Sequence, residues 1–159
     1  MSKLTDYGII LMACFARDHA RPVLTSRDLA VRARLSPPTV SKLLKLLARQ
    51  QLLVSHRGVK GGYSLARAPE TITVADVITA LEGPIALADC TDRLPGLCRI
   101  EALCPVRDNW QRINRAVCDA LEGLTLADLT RPAARRSPAP AREPAVAGTA
   151  PARDVEPPR

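Results

Sequence analysis

The sequence predicts a mainly α-helical fold with one small β-hairpin. Apolar residues recur at helical spacing through most of the first 130 positions, and one glycine-rich stretch separates two short strand-like runs. Aromatic residues are scarce, with one Trp, two Tyr and one Phe in 159 residues, so the core must be built from Leu, Val, Ile and Ala. A chain of this length fits one domain with an additional arm or tail.

The first two helices are predicted from capping residues and apolar spacing. Thr5 suits an N-cap, and the first helix should run from it to about Arg17. Its buried side is expected to consist of Ile9, Ile10, Met12, Ala13 and Ala16. Residues 19–22 end this helix, and a short second helix should cover residues 25–33, followed by a turn at 34–36.

A third helix should begin directly after Ser36, which is a good N-cap. Pro37 and Pro38 initiate rather than break this helix, because N–H groups of the first turn have no intrahelical acceptor. The residues expected to be buried are Val40, Leu43, Leu44 and Leu47. Those left outside are Thr39, Ser41, Lys42, Lys45 and Arg49.

Two short strands should follow, over residues 52–56 and 63–66. Between them Gly58, Gly61 and Gly62 supply the backbone freedom of a hairpin, and Arg57 and Lys60 place two cations at its tip. A further helix is expected over residues 72–81, ended by glycine and proline at 83–84. Two helices joined by a tight turn and followed by a basic hairpin make a winged helix-turn-helix domain, here predicted for residues 1–83.

The charge distribution indicates that this domain binds a polyanion. Residues 1–67 hold twelve Lys/Arg against three Asp/Glu, whereas residues 68–130 hold five against ten. The third helix is expected to lie in the major groove of double-stranded DNA, with the hairpin on the flanking backbone or minor groove. The predicted DNA-contacting residues are Ser36, Thr39, Ser41, Lys42, Lys45, His56, Arg57 and Lys60. Solubility alone, with these side chains simply solvated, is the alternative interpretation.

Cys90, Cys98 and Cys104 form the most distinctive cluster in the chain. They lie within fifteen positions, in a segment, residues 84–104, that is predicted to be a loop because it contains Pro95 and Gly96 and has little periodicity. Three thiolates leave one coordination position for another ligand. Structural zinc sites usually use cysteines two to four residues apart, so gaps of seven and five favour an iron–sulfur cluster over zinc.

The other two cysteines, Cys14 and Cys118, lie among apolar residues and are expected to pack in the core. The chain has no run of eighteen apolar residues, and its N-terminus lacks the features of a signal peptide. We therefore expect a cytoplasmic protein without a membrane partner. In that reducing compartment, an odd number of cysteines is better explained by metal or redox chemistry than by a disulfide framework.

A long helix is predicted after Pro105, so that residues 105–130 contain a dimerisation helix and a short C-terminal helix. Its apolar residues are spaced three and four apart: Val106, Trp110, Ile113, Val117, Leu121 and Leu124. This stripe has few internal partners in a small chain, which favours a symmetric helix pair in a homodimer over packing within one chain. Residues 131–159 are rich in Ala, Pro and Arg and are predicted to be disordered.

Several of these motifs resemble the Rrf2 family of bacterial winged-helix regulators. They are residues 57–65 of the hairpin, residues 36–42 of the third helix and the three downstream cysteines. Residues 6–8, 82–84, 104–107 and 109–110 look most like the branch that regulates the SUF iron–sulfur assembly operon. The resemblance implies a homodimer that binds a palindromic promoter site and holds a [2Fe–2S] or [4Fe–4S] cluster. It also implies that Arg57 enters the minor groove.

Two departures limit what the resemblance implies. The gap between Cys90 and Cys98 is seven residues instead of the usual five, and Arg107 stands where the iron–sulfur-biogenesis regulator has a ligating histidine. Arginine has no lone pair to give. In the nitric-oxide-sensing branch an acidic residue of the partner subunit's first helix is a ligand, and Asp6 matches that position. Asp6 is thus a candidate fourth ligand, although an acidic residue there is also explained by favourable charge at a helix N-terminus.

The predicted function is a DNA-binding transcriptional regulator, a repressor, that senses iron–sulfur cluster status and controls SUF-type assembly genes. The alternative is a regulator of the same fold that responds to thiol oxidation without metal, or to nitric oxide or iron. A winged-helix module that binds protein is disfavoured by the basic first 67 residues. An enzyme is not expected, because no set of nucleophile, base and acid stands out and no phosphate-binding loop is present.

Overall fold

The structure is a computed structural model that describes residues 2–18, 23–58, 61–91, 98 and 103–131. The helices are α1 (Lys3–Arg17), α2 (Ser26–Ala33), α3 (Pro37–Arg49), α4 (Val74–Glu82), α5 (Arg107–Glu122) and α6 (Leu126–Thr130). The strands β1 (Leu53–His56) and β2 (Gly62–Leu65) form an antiparallel hairpin, and 3-10 turns lie at Pro69–Thr71 and Asp89–Thr91. The predicted fold class, mainly α with a small β-hairpin, is confirmed. No helix in these ranges is long and apolar enough to cross a membrane.

The start and the buried face of α1 differ from the prediction. Ser2, not Thr5, is the N-cap, and its hydroxyl accepts a hydrogen bond from the backbone N–H of Thr5. Thr5 is fully buried, whereas Ile10 is 38% exposed. The reason is a close approach of α4 at Gly8, where an added Cβ would lie 2.2 Å from Leu81 Cδ1. The face of α1 that carries Gly8 therefore turns inward, and Ile10 turns outward.

Three of the helices begin with the same reciprocal cap. Thr25, Thr73 and Thr125 are the N-caps of α2, α4 and α6, and each is followed three residues later by an aspartate. In every case the threonine hydroxyl accepts from the aspartate backbone N–H, and the aspartate side chain accepts from the threonine backbone N–H. This capping box satisfies two N–H groups that the first helical turn leaves without partners. The cap at Thr73 explains why α4 begins at Val74 rather than at the predicted residue 72.

The third helix follows the prediction closely. Val40, Leu43, Leu44 and Leu47 are fully buried, and the two prolines occupy the first helical positions. Ser36 has the extended backbone of an N-cap, but its Oγ lies 2.8 Å from the Thr39 hydroxyl instead of bonding a backbone N–H.

The hairpin is joined directly to α3. Gln51, with a φ of 58°, turns the chain, and the N–H of Leu52 donates to the Leu47 carbonyl at 3.0 Å. The strands pair from Leu53↔Leu65 to His56↔Gly62, and Tyr63 exchanges two backbone hydrogen bonds of 2.9 Å with Leu24. The hairpin is therefore held by both α3 and the chain before α2. Its tip, residues 59–60, lies outside the described residues.

The last helix, α6, returns to the core that α1 to α4 build. Leu126 is fully buried in this core. The Val74 N–H donates to the Leu124 carbonyl at 2.8 Å, and the Leu126 N–H donates to the Ile72 carbonyl at 2.9 Å. This backbone bridge attaches the end of α5 to the start of α4. By contrast, α5 itself contains no buried residue, and it begins at Arg107, two residues after Pro105.

Candidate nucleic-acid interface and cysteine segment

The outer side of α3 carries a row of cations. Lys42, Lys45 and Arg49 are exposed and spaced three and four apart, which places them on one face of the helix. Neither Lys42 nor Lys45 forms an ion pair with another residue in the described ranges. Of the predicted hydroxyl contacts, Ser36 is exposed, and Thr39 and Ser41 are partly buried.

The hairpin adds His56 and Arg57, which are both exposed. The Nε2 atom of His56 lies 2.8 Å from the hydroxyl of Ser64, diagonally across the two strands, and this hydrogen bond orients the ring. Gly58 has a φ of 104° and its carbonyl accepts from the Gly61 N–H at 2.9 Å, which closes the turn after Arg57. Lys60, the other predicted cation of the tip, lies outside the described residues.

Glu82, at the end of α4, holds the N-terminus of α1. Its Oε1 atom accepts hydrogen bonds from the Thr5 hydroxyl and the Ser2 backbone N–H. The Thr5 hydroxyl, followed by the Ser2 groups, lowers the pKa of Glu82 to about 2. Asp6, the candidate fourth ligand, is exposed in the turn that these bonds fix. We call this contact between Glu82 and the start of α1 a joint. Thr5 and Glu82 are 77 residues apart in the sequence, so no local motif predicted it.

The three cysteines of the predicted ligand set occupy different environments. Cys90 is 9% exposed in the turn Asp89–Thr91, and Cys98 and Cys104 are partly buried. All five cysteines are free thiols. Cys14 packs against the core as expected, and burial raises its pKa despite the opposing charges of Arg17 and Arg32. Cys118 is only partly buried and lines a cavity beside α4.

This cavity has a volume of about 690 Å³ and lies between α4, α5 and the segment that leads to Cys90. Cys90, Arg107 and Cys118 are among its lining residues. Asn114 crosses from α5 to the segment: its Nδ2 donates to the Ile85 carbonyl at 3.2 Å, and its Oδ1 accepts from the Leu87 N–H at 3.0 Å. Nothing in the sequence pointed to Asn114, because its partners are 27 and 29 residues away.

Cysteine thiolates and an aspartate carboxylate are chemically suited to hold an iron–sulfur cluster, but the described residues of the single chain do not form a metal site. Within the described ranges, no three His, Cys, Asp or Glu side chains lie close enough to hold one metal ion. The structure thus places Cys90, Cys98, Cys104 and Asp6 individually but does not bring them together. Residues 92–97 and 99–102 of the predicted cysteine loop lie outside the described residues.

The apolar stripe predicted on α5 is exposed along most of its length. Trp110 is 39% exposed, Ile113 48% and Leu124 45%, and Val106, just before the helix, is 46% exposed. Val117 and Leu121 are partly buried. These six residues, the α5 stripe, form a surface that packing among the described residues leaves largely uncovered.

Comparison with known proteins identifies the family. Residues 1–132 match the family described as Rrf2, Iron-dependent Transcriptional regulator. The chain belongs to the Rrf2 family. It is therefore a DNA-binding transcriptional regulator, and its helices and hairpin are those of the winged-helix Rrf2 regulators.

The chain is similar to several individual proteins of known sequence or structure. The chain is 33% identical over 127 residues to Protein rrf2 of Nitratidesulfovibrio vulgaris, covering 80% of this chain and 84% of that protein. The structure of CymR, the global cysteine regulator of Bacillus subtilis, superimposes with a TM-score of 0.66 at 32% identity, covering 82% and 95% of the two chains. IscR of T. potens gives a TM-score of 0.64 at 28% identity, covering 81% and 84%.

Proposed function

We propose that this Rrf2 regulator is a homodimeric repressor of SUF-type iron–sulfur assembly genes that senses cluster status directly. In this proposal Cys90, Cys98 and Cys104 hold a [2Fe–2S] or [4Fe–4S] cluster, and Asp6 of the partner subunit is the fourth ligand. The proposal is supported by the chemistry of the donors, by the family, and by the sequence likeness to the SUF branch.

One observation carries the proposal: the cysteine segment connects the DNA-binding domain to the helix that bears the α5 stripe. The segment leaves α4 at Gly83 and reaches α5 at Arg107. If two subunits pair through their α5 stripes, the segment lies between the dimer contact and each DNA-binding domain. A structural change in the cysteine segment would then alter the positions of the two DNA-binding domains on the two half-sites of the promoter.

The cluster would supply the redox and exchange chemistry that makes the regulator sensitive to iron–sulfur supply. Arg107 cannot complete the ligand set, because a guanidinium has no lone pair to give. Asp6 is a suitable candidate because it is exposed, carries a carboxylate and lies in a turn held in place by Glu82.

For DNA binding we propose that the N-terminal part of α3 enters the major groove and that Arg57 reaches the minor groove beside it. The cations of α3 would neutralise phosphates, and the hydroxyls of Ser36, Thr39 and Ser41 would contact base edges or backbone. His56 and Lys60 would add phosphate contacts. A homodimer would match a palindromic promoter with one such domain on each half-site.

A second candidate is a regulator that responds to thiol oxidation without metal. It is favoured by one comparison: the chain is 30% identical to Staphylococcus aureus CymR, whose oxidised form has been solved, over 82% of this chain. In this candidate, Cys90, Cys98 and Cys104 would form disulfides instead of binding a cluster. A response of the same fold to nitric oxide or iron belongs to the same group of alternatives.

Anaerobic reconstitution with iron and sulfide distinguishes these candidates. The parent protein should acquire a visible chromophore with stoichiometric iron and sulfide, and Cys98→Ser should lose both. Cys14→Ala is the matched control, because Cys14 packs in the DNA-binding core, and this variant should retain the chromophore. A colourless protein with stoichiometric zinc, or one that binds no metal, would end the iron–sulfur proposal.

A further inference from the structure

The Asn114 side chain joins α5 to the chain just before Cys90. Both polar groups of its amide are used: one donates to the Ile85 carbonyl at 3.2 Å, and the other accepts from the Leu87 N–H at 3.0 Å. A single side chain thus pairs with the backbone of residues 85–87 as a neighbouring strand would. Cys118, one turn further along α5, has its sulfur 3.8 Å from Asn114 Nδ2 and 4.0 Å from the Ile85 carbonyl.

The chain between this contact and Cys90 is short and internally hydrogen-bonded. The Thr91 hydroxyl donates to the Ala88 carbonyl at 2.7 Å, and the Thr91 N–H donates to the same carbonyl at 2.8 Å. The Ala88 N–H in turn lies 3.2 Å from the Thr91 hydroxyl. Residues 88–91 therefore form a closed turn that begins one residue after Leu87. Because Asn114 holds Leu87 against α5, it also holds in place the adjoining turn, which contains Cys90.

The burial of Cys90 agrees with this placement. Its side chain is 9% exposed and lines the same cavity as Asn114. The turn Asp89–Thr91 packs on α5, although no residue of α5 itself is buried. The two hydrogen bonds of the Asn114 amide, together with the longer contact between the Cys118 sulfur and the Ile85 carbonyl, are polar links between α5 and the segment before Cys90.

We propose that Asn114 is a positioning residue that holds Cys90 against α5. Through this contact a change at Cys90 is passed to the helix that bears the α5 stripe. The transmission to α5 rests on the proposed function, because it assumes that the segment is the sensor. The positioning of Cys90 does not, because it is a property of the metal-free chain.

The test is the alkylation rate of individual thiols in the full-length, metal-free protein. The protein is purified in chelator, treated with N-ethylmaleimide for graded times, and analysed peptide by peptide by mass spectrometry. In Asn114→Ala, the alkylation rate of Cys90 should rise about tenfold or more through local opening. The rate of Cys14, which packs against the core, should stay the same.

Two further variants sharpen the result. Asn114→Asp keeps an acceptor for the Leu87 N–H but loses the donor to the Ile85 carbonyl, so its Cys90 rate should lie between those of the parent and Asn114→Ala. Asn109→Ala removes the same side chain from an exposed position of α5 and should leave the Cys90 rate unchanged.

Two outcomes would overturn the proposal. An unchanged Cys90 rate in Asn114→Ala would mean that the contact does not position the thiol. A parallel increase at Cys90 and Cys14 would mean that the substitution destabilises the whole fold, so that Asn114 has only a structural role. Because labelling is done without metal, either outcome is separate from the failure of cluster reconstitution, which would defeat the iron–sulfur proposal alone.

Discussion

Glu82 accepts hydrogen bonds from two residues near the start of the chain. The Thr5 hydroxyl and the Ser2 N–H both donate to the same carboxylate oxygen. These hydrogen bonds lower the pKa of Glu82 to about 2. The ionised carboxylate is therefore favoured in the folded state. It contributes stability above the ordinary pKa of 4.5, and this contribution is lost as the pH falls from about 4.5 toward 2. Because Glu82 is exposed, solvent and salt reduce the size of the effect.

We predict that Glu82→Gln has a lower melting temperature than the parent at pH 7, because a neutral amide is a weaker acceptor than a carboxylate. The difference should shrink as the pH falls from 4.5 toward 2, since the carboxylate of the unfolded parent is protonated in this range before that of the folded parent. Thermal unfolding followed by circular dichroism between pH 7 and pH 3 measures this. A difference that is constant over the whole range would show that the charge of Glu82 does not stabilise the joint.

Arg57 tests the placement of the hairpin on DNA. Arg57→Ala should weaken promoter binding and reduce the slope of log affinity against log salt by about one, because one phosphate contact or minor-groove cation is lost. Fluorescence anisotropy at several salt concentrations measures both quantities. Arg112→Ala, an exposed cation on α5, is the control and should change neither. If Arg57→Ala also changes neither, the proposed position of the hairpin is wrong.

At the level of elements, the sequence predicted correctly those features that depend only on residues within the same helix. The start of α3 and its four buried residues follow from a proline pair and a helical period within the helix itself. The inward face of α1 was predicted wrongly because it depends on α4, which approaches Gly8 from more than seventy residues away. The joints at Glu82 and Asn114 were missed for the same reason, since the bonded residues are 77 positions apart at Glu82 and 27 and 29 positions apart at Asn114.

The return of α6 to the core gives a prediction about stability. Leu126 is fully buried, so Leu126→Ala should destabilise the fold by about 2–5 kcal/mol, as is typical of leucine truncation in a core. Leu103→Ala is the matched control: Leu103 is 89% exposed, and its truncation should change stability by less than about 0.5 kcal/mol. Urea unfolding of both variants measures the difference. Equal, small effects would mean that α6 does not belong to the core.

At the level of the whole molecule, the α5 stripe should be the contact between two subunits. Ile113 is 48% exposed near the middle of the stripe, so Ile113→Asp should convert the dimer to a monomer by placing a charge in an apolar interface. Val31→Asp is the control, because Val31 is an apolar residue of α2 that is 75% exposed. Sedimentation velocity of the three proteins should give dimer, monomer and dimer. A dimeric Ile113→Asp would place the interface elsewhere.

In the proposed function a site outside the DNA-binding domain controls it, and two contacts of α5 support this. At one end, α5 is attached to α4 through the backbone bridge between residues 72–74 and 124–126. Near the middle of the helix, Asn114 attaches it to the segment before Cys90. Family membership and the DNA-binding domain could be predicted from motifs within single segments. The proposed ligand set depends on how distant parts of two chains meet, and that is not encoded in any one motif.

In the proposed function, promoter affinity depends on cluster occupancy. One anaerobic preparation, with its iron characterised by Mössbauer spectroscopy, should be titrated onto its promoter before and after the cluster is removed. The two forms should differ in affinity by about tenfold or more, which corresponds to at least about 1.4 kcal/mol. Identical binding curves for the cluster-loaded and cluster-free protein would contradict this dependence.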